Sequence, residues 1–400
     1  MHWLAVLIIL VNLALSGSSL SVSQETVKIE DLGVSYAFGE TISFRSQVRP
    51  AAKVREVQVF ITPEGQSTVW KTMDLQGDGA ASVDIDVQQL AVLPFSSIEY
   101  RYEVVLEEDQ ILSSETFHFT YEDDRFNWQK ASNDRFEVYW YGESSTLGQE
   151  ILNISQLGLQ QATNLLDASI EFPLRIYAYT SSEDLQTALK MKDRPWIAGH
   201  ASPQHDMILI SVPAGPEQKL ELERQIPHEM MHLLQYQLVG ERVQQQPVWL
   251  MEGMASLAEL YPNPEYQRVL ESIQDPQELL SIGSLCAAFP REAAGAFRAY
   301  AESESFTRFI YEKYGKSGLR ALIERYDDGL GCEEGVSAAL GVSLAQLEYR
   351  WRQEALGINA SGLALSNLTP YLLVGLVVLI PAALALIPYH SKRATTEKRS

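Results

Sequence analysis

Residues 227–232 read Pro-His-Glu-Met-Met-His, and residues 249–255 read Trp-Leu-Met-Glu-Gly-Met-Ala. On a helix, His228 and His232 stand four residues apart, on one face and about 6 Å apart at Cβ. Both ring nitrogens can then reach one zinc ion at about 2.0–2.1 Å. Glu229 leaves the same helix roughly 100° around from His228, which aims it at a water beside the metal and not at the metal itself. Glu252 follows His232 after nineteen intervening residues and completes a set of two imidazoles and one carboxylate. Three protein ligands leave the fourth position open, which marks a catalytic zinc and not a structural one. Only seven histidines occur in 400 residues, yet two fall at ligand spacing, flanked by apolar Met230, Met231, Leu233 and Leu234. Such flanks suit a half-buried helix better than a solvated one. The pattern predicts one zinc held by His228, His232 and Glu252, with Glu229 as the general base of a hydrolase.

The run from Trp249 to Glu259 (Trp-Leu-Met-Glu-Gly-Met-Ala-Ser-Leu-Ala-Glu) resembles the third-ligand helix of the gluzincin superfamily, the peptidases of the thermolysin and M1 aminopeptidase type. The gap of nineteen residues is thermolysin-like, while the Trp-Leu-x-Glu-Gly wording is nearer the aminopeptidases. Residues 128 to 353 resemble the bacterial and archaeal peptidase MA-like domain through Trp128, Phe136-Glu-Val-Tyr-Trp-Tyr141, Ile176-Tyr-Ala-Tyr179, Gly199-His200-Ala201 and Tyr300-Ala-Glu-Ser-Glu-Ser-Phe306. The resemblance implies a zinc metallopeptidase acting on peptide or protein substrates. It also implies a tyrosine that meets the developing oxyanion, and Tyr300 occupies the matching Tyr-Ala-x-Ser region; a core tyrosine is the other reading. His200 and His205 are further candidates for the oxyanion or the substrate, or else surface residues. Glu259, seven residues after Glu252, is expected to take a ligand histidine's second N–H, or to be a solvated helix-end glutamate. Pro227 departs from the pattern: either the helix begins there or it is kinked there. The Gly-x-Met-Glu-Asn signature that holds a substrate amino terminus in M1 aminopeptidases is also absent.

Four hundred residues suffice for about two domains with appendages. The net charge of -21 speaks against nucleic acid and against an anionic membrane surface as partners. Leu4 to Leu15 is a short apolar run followed by Ser16-Gly-Ser-Ser19, so residues 1–22 are expected to be a signal peptide. Leu356 to Tyr389 is 34 residues without a charged side chain. Its segment Tyr371–Tyr389 would span about 28 Å as a helix, close to a bilayer's hydrocarbon thickness. A transmembrane helix over residues 370–389 is therefore expected, with the lipid bilayer as a partner. The tail at 390–400, with Lys392, Arg393, Lys398 and Arg399 against Glu397, should remain cytoplasmic. The expectation is a single-pass protein of the cell membrane with its catalytic domain extracellular. Cys286 and Cys332 are the only cysteines, forming one disulfide or staying free.

Residues 24–125 alternate as strands: Ile98, Tyr100, Tyr102 and Val104 face one way, Glu99, Arg101 and Glu103 the other. Short strands with regular turns predict an all-β sandwich of immunoglobulin or fibronectin type. Residues 128–356 form the α+β metallopeptidase domain, and 357–369 a juxtamembrane linker. Strands are expected at 136–141, 174–180 and 207–211, and helices at 147–166, 297–314, 318–326 and 344–355. In gluzincins the strand before the zinc helix lies at the sheet edge beside the cleft, a role expected here of Met207–Ser211. A second functional class, a cell-surface binding or adhesion protein on an inactive peptidase scaffold, has no use for a non-ligand Glu229.

Overall fold

Alternation of apolar and polar residues builds the N-terminal part into strands: β1 (Lys28–Ala37), β2 (Thr41–Arg49), β3 (Val54–Pro63), β4 (Val69–Thr72), β5 (Asp74–Leu75), β6 (Ala80–Asp86), β7 (Ser97–Leu106), β8 (Ile111–Ser113) and β9 (Phe117–Thr120). The computed structural model describes residues 27–107, 109–170, 173–190, 198–273 and 275–358. The chain divides between Asp123 and Asp124 into two compact units. In the first unit one antiparallel sheet runs β1-β2-β6-β5 and another β4-β3-β7-β8, with β9 also on β7. Every second residue turns inward, as strand geometry requires. Ile42, Phe44 and Val48 of one sheet meet Val57, Val59, Ile61, Tyr102 and Val104 of the other in one buried core. Asp31 sits at a register shift of β1 and accepts hydrogen bonds from the hydroxyls of Tyr100 and Tyr102, each at 2.8 Å.

The second unit contains β10 (Gln129–Ser132), β11 (Phe136–Trp140), α1 (Leu147–Leu165), β12 (Leu174–Tyr179), α2 (Ser182–Ala188), β13 (Gly199–Ser202), β14 (Met207–Ser211), α3 (Gln218–Val239), α4 (Val248–Ala258), α5 (Pro264–Ser272), α6 (Ala293–Asp327), α7 (Cys332–Leu340) and α8 (Leu344–Glu354). Its sheet has the order β10-β11-β12-β14-β13. The central pairs β11–β12 and β12–β14 are parallel, and both outer pairs are antiparallel. Phe136, Val138, Ile176, Ile208 and Ile210 supply one sheet face to a core shared with Ile151 and Leu159 of α1 and with Ile226, Met230 and Leu234 of α3.

Two expectations change in the structure. Met207–Ser211 is not the edge strand: β14 pairs on both sides and is buried along its length, and Gly199–Ser202 holds the edge. Of the two readings of Pro227, a helix start is ruled out, because the residue lies inside α3. The helices expected at 297–314 and 318–326 are found within α6, which is two helices meeting at Gly315, whose φ of 65° and ψ of -172° are not helical. Glycine reaches that positive φ without the steric penalty a Cβ would bring. The signal peptide, nearly all of the linker (only its first two residues are described), the membrane span at 370–389 and the basic tail lie outside the described residues. Among the described residues no helix is long and apolar enough to cross a membrane.

Cys286 and Cys332 are joined in a disulfide across a sequence separation of 46. The Cys286 carbonyl accepts from the Val248 N–H at 3.0 Å, the first amide of α4. The cross-link thereby secures the segment against which the α4 terminus is built. Closing a loop of this length removes unfolded-state freedom worth about 2–4 kcal/mol. Replacing both cysteines with serine should lower the unfolding free energy by about that amount in denaturant titration. An unchanged midpoint would show that the cross-link contributes nothing to stability.

Candidate metal centre

α3 presents His228 and His232 on one face, their ring centroids 5.1 Å apart. α4 lies alongside and brings Glu252 between them. Glu252 Oε2 is 3.3 Å from His228 Nε2 and 3.7 Å from His232 Nε2. One ligand atom from each of the three residues falls within 4.8 Å of the others. Donors about 2.0–2.1 Å from a tetrahedral zinc stand roughly 3.3 Å apart, so the His228–Glu252 pair matches such a site and the His232–Glu252 pair is wider.

The other ring nitrogens are turned away and occupied. His228 Nδ1 lies 3.3 Å from Glu259 Oε1. His232 Nδ1 lies 2.9 Å from Gln235 Oε1, while Gln235 Nε2 donates to the Met251 carbonyl at 3.1 Å. Such partners orient a ligand imidazole and leave Nε2 free for the metal. Glu259 arrives by an unexpected route: α4 ends at Ala258, and Glu259 is extended, with φ -54° and ψ 134°. Gln235 escaped the sequence reading, although its position three residues after His232 puts it on the same helix face.

Glu229 is buried, yet belongs to none of the ligand contacts. Its carboxylate rests against the edge strand, beside Gly199 and close to the Ala201 backbone. A Cβ on Gly199 would collide with Glu229 Oε1 and fall 2.9 Å from its carboxyl carbon. Gly199 is therefore a second residue whose role the sequence did not reveal; only a bare backbone leaves room for the carboxylate.

The charges explain the directions of titration. Burial alone would lower the His228 pKa, but the hydrogen-bonded carboxylates of Glu252 and Glu259 outweigh it and push it up to about 10. Burial would raise Glu252, but His232 and His228 hold it well below the usual carboxylate range. Burial raises Glu229 above its ordinary value, opposed by the two histidines and reinforced by Glu252. The Glu252 charge, then burial, keeps the Tyr300 phenol protonated far above its ordinary range.

Tyr300 comes from α6, with its ring centroid 6.5 Å from that of His228. The structure thus brings His228, Glu229, His232, Glu252, Glu259 and Tyr300 to one place. Gly199, Arg224, His228, Glu229, Tyr266 and Tyr300 line a cavity of about 640 Å³ beside it. His200, on β13, is partly buried: burial first, then His232 and His205, lowers its pKa to about 4. His205 is buried too, with Nδ1 2.7 Å from Ser202 Oγ in the turn between β13 and β14.

Residues 154–357 match the family model of the peptidase MA superfamily, and the chain belongs to that superfamily. Among solved structures it is similar to the aminopeptidase N family protein from Idiomarina loihiensis, with 7% identity, 82% of this chain and 76% of that one covered, and a TM-score of 0.41. It is also similar to the M1 zinc metallopeptidase from Deinococcus radiodurans, with 11% identity, 81% and 92% coverage, and a TM-score of 0.36. No curated protein sequence matches it.

Gly199→Ala tests the contact between the edge strand and Glu229. The colliding atom ends a flexible side chain, so Glu229 should yield while the strand and the metal ligands stay. The expected outcome is unchanged zinc content and peptide hydrolysis lowered by up to about 10²-fold, the scale of a 1 Å misplacement. Activity equal to wild type in a steady-state assay would contradict the contact.

Proposed function

We propose that the second unit is a gluzincin-type zinc peptidase, with His228, His232 and Glu252 as ligands and Glu229 as general base. The observation that carries this reading is the convergence of two imidazole nitrogens and one carboxylate oxygen, with a separate buried carboxylate packed beside them against Gly199 of β13. The donor set suits zinc, which when bound supplies a Lewis acid that polarises the scissile carbonyl and lowers the pKa of water.

The chain's own residues do the rest. An extended substrate adds to β13 through main-chain hydrogen bonds, since that strand has a neighbour, β14, on one side only. Glu229 takes a proton from the attacking water as its oxygen bonds to the carbonyl carbon. The same proton passes to the nitrogen as the C–N bond breaks. Tyr300, kept protonated, donates to the developing oxyanion. A binding scaffold gains nothing from Glu229, because that residue ligates no metal in this reading.

The sandwich unit is read as immunoglobulin- or fibronectin-like from its two antiparallel sheets over one core. The anchor reading rests on the sequence of Tyr371–Tyr389 and its basic flank. It makes the enzyme a single-pass membrane protein with its catalytic unit outside the cell.

Substitutions separate metal from chemistry. His232→Ala should lose its equivalent of zinc on metal analysis; a fully loaded variant would refute the ligand set. Glu229→Gln should keep zinc and lose at least about 10²-fold in peptide hydrolysis, because it cannot accept the proton. Near-wild-type turnover in Glu229→Gln would remove the mechanism. Tyr300→Phe should keep zinc with reduced turnover, and full activity would remove only the tyrosine's role.

Topology has its own test. In intact cells an epitope after Ser400 should resist external protease, while one placed near Gln24 should be cleaved. The reverse pattern would overturn the anchor.

A further inference from the structure

Pro227 sits inside α3, immediately before the first histidine, where a helix has least use for it. Proline there lacks the N–H that would bond to the carbonyl four residues back, and its ring crowds that carbonyl. In α3 the carbonyl concerned belongs to Glu223, and it is not wasted. It accepts the Leu260 N–H at 2.9 Å, from the chain that has just left α4. The proline ring itself lies against α1, where a Cβ on Gly158 would stand 2.9 Å from Pro227 Cγ.

Leu260 directly follows Glu259, whose carboxylate faces His228 Nδ1 at 3.3 Å. Past Ala258 no helical ladder fixes Glu259, since its own N–H returns to the Ser256 carbonyl at 3.3 Å and the chain then extends. The bond from Leu260 to Glu223 therefore anchors the segment that delivers Glu259. Gln235 makes a second tie, to the Met251 carbonyl beside Glu252. The two ties bracket Glu252 along α4, one at Met251 and one at Leu260.

We infer that Pro227 is a positioning residue for the metal centre: by leaving the Glu223 carbonyl to Leu260, it sets the α4 terminus and Glu259 against His228. This role rests on the zinc reading of His228, His232 and Glu252. Alanine at 227 would restore an intrahelical donor one turn before the ligand and draw the Glu223 carbonyl back into the α3 ladder. The Leu260 bond would weaken, and with it the hold on Glu259.

The test compares zinc affinity with the stability of the metal-free protein. Pro227→Ala should leave the metal-free chain at least as stable as wild type, because alanine favours a helix interior. Zinc affinity, measured by chelator competition, should nevertheless fall about 10-fold or more, the scale on which a ligand's supporting partners act. The visible spectrum of the cobalt-substituted protein should shift as well. Leu260→Pro removes the same hydrogen bond from the donor side and should weaken zinc comparably. The double variant should lose no more than the larger single loss, because both remove one interaction. Unchanged affinity and cobalt spectrum in Pro227→Ala, with wild type binding one zinc, would overturn this role alone; additive losses in the double variant would do the same. A folded wild-type protein that takes up no zinc would overturn the role together with the reading beneath it.

Discussion

The candidate metal centre of the second unit depends on one constraint: α4 must lie against α3 so that Glu252 enters the space between His228 and His232. Helix geometry alone brings the histidines together, but it says nothing about where a residue twenty positions later will arrive. That placement comes from contacts spread over the domain. Gly253 lets α4 approach α6 closely enough that a Cβ there would collide with Thr307 and the Ser303 carbonyl oxygen. The Cys286 carbonyl holds the first amide of α4, and Trp249 fills the core against Phe306, with ring centroids 5.0 Å apart. A metal site built this way is only as good as the packing beneath it.

The same packing sets the electrostatics. Burying Glu229 and Glu259, and partly burying His228, His232 and Glu252, is costly unless each charge has a partner. Here the carboxylates of Glu252 and Glu259 face imidazole nitrogens, while Glu229 packs against the edge strand at Gly199. Glu229 remains the odd member, its pKa raised first by its burial. A carboxylate whose pKa is raised in this way is better matched to proton transfer near neutrality than an exposed one. The division of labour among the acids follows from what each side chain faces, not from residue type.

Much of this was legible in the sequence because helical periodicity is local. The i, i+4 histidines, the angular offset of Glu229 and the alternation of β7 needed no tertiary information. What the sequence did not disclose is where tertiary contacts override local pattern. Pro227 suggested a helix start or a kink; the helix does not start there, and the Glu223 carbonyl that proline leaves without an intrahelical donor accepts from Leu260 instead. Glu259 was expected two turns along α4 and instead reaches His228 from beyond the helix end. The short strand Gly199–Ser202 took the edge expected of Met207–Ser211, because four residues with a histidine at their centre carry little strand signal. Gln235 was recoverable from spacing, but Gly199 was not: its reason lies in the Glu229 carboxylate, which a linear reading cannot bring near.

The claim at the centre is that one zinc is held by two imidazoles and a carboxylate oxygen. X-ray absorption at the zinc edge of the purified, zinc-loaded protein addresses that coordination directly. The account predicts a shell of nitrogen and oxygen scatterers at about 2.0–2.2 Å, with the outer-ring signature of two imidazoles and no sulfur. A sulfur shell near 2.3 Å, or a spectrum without imidazole, would contradict it.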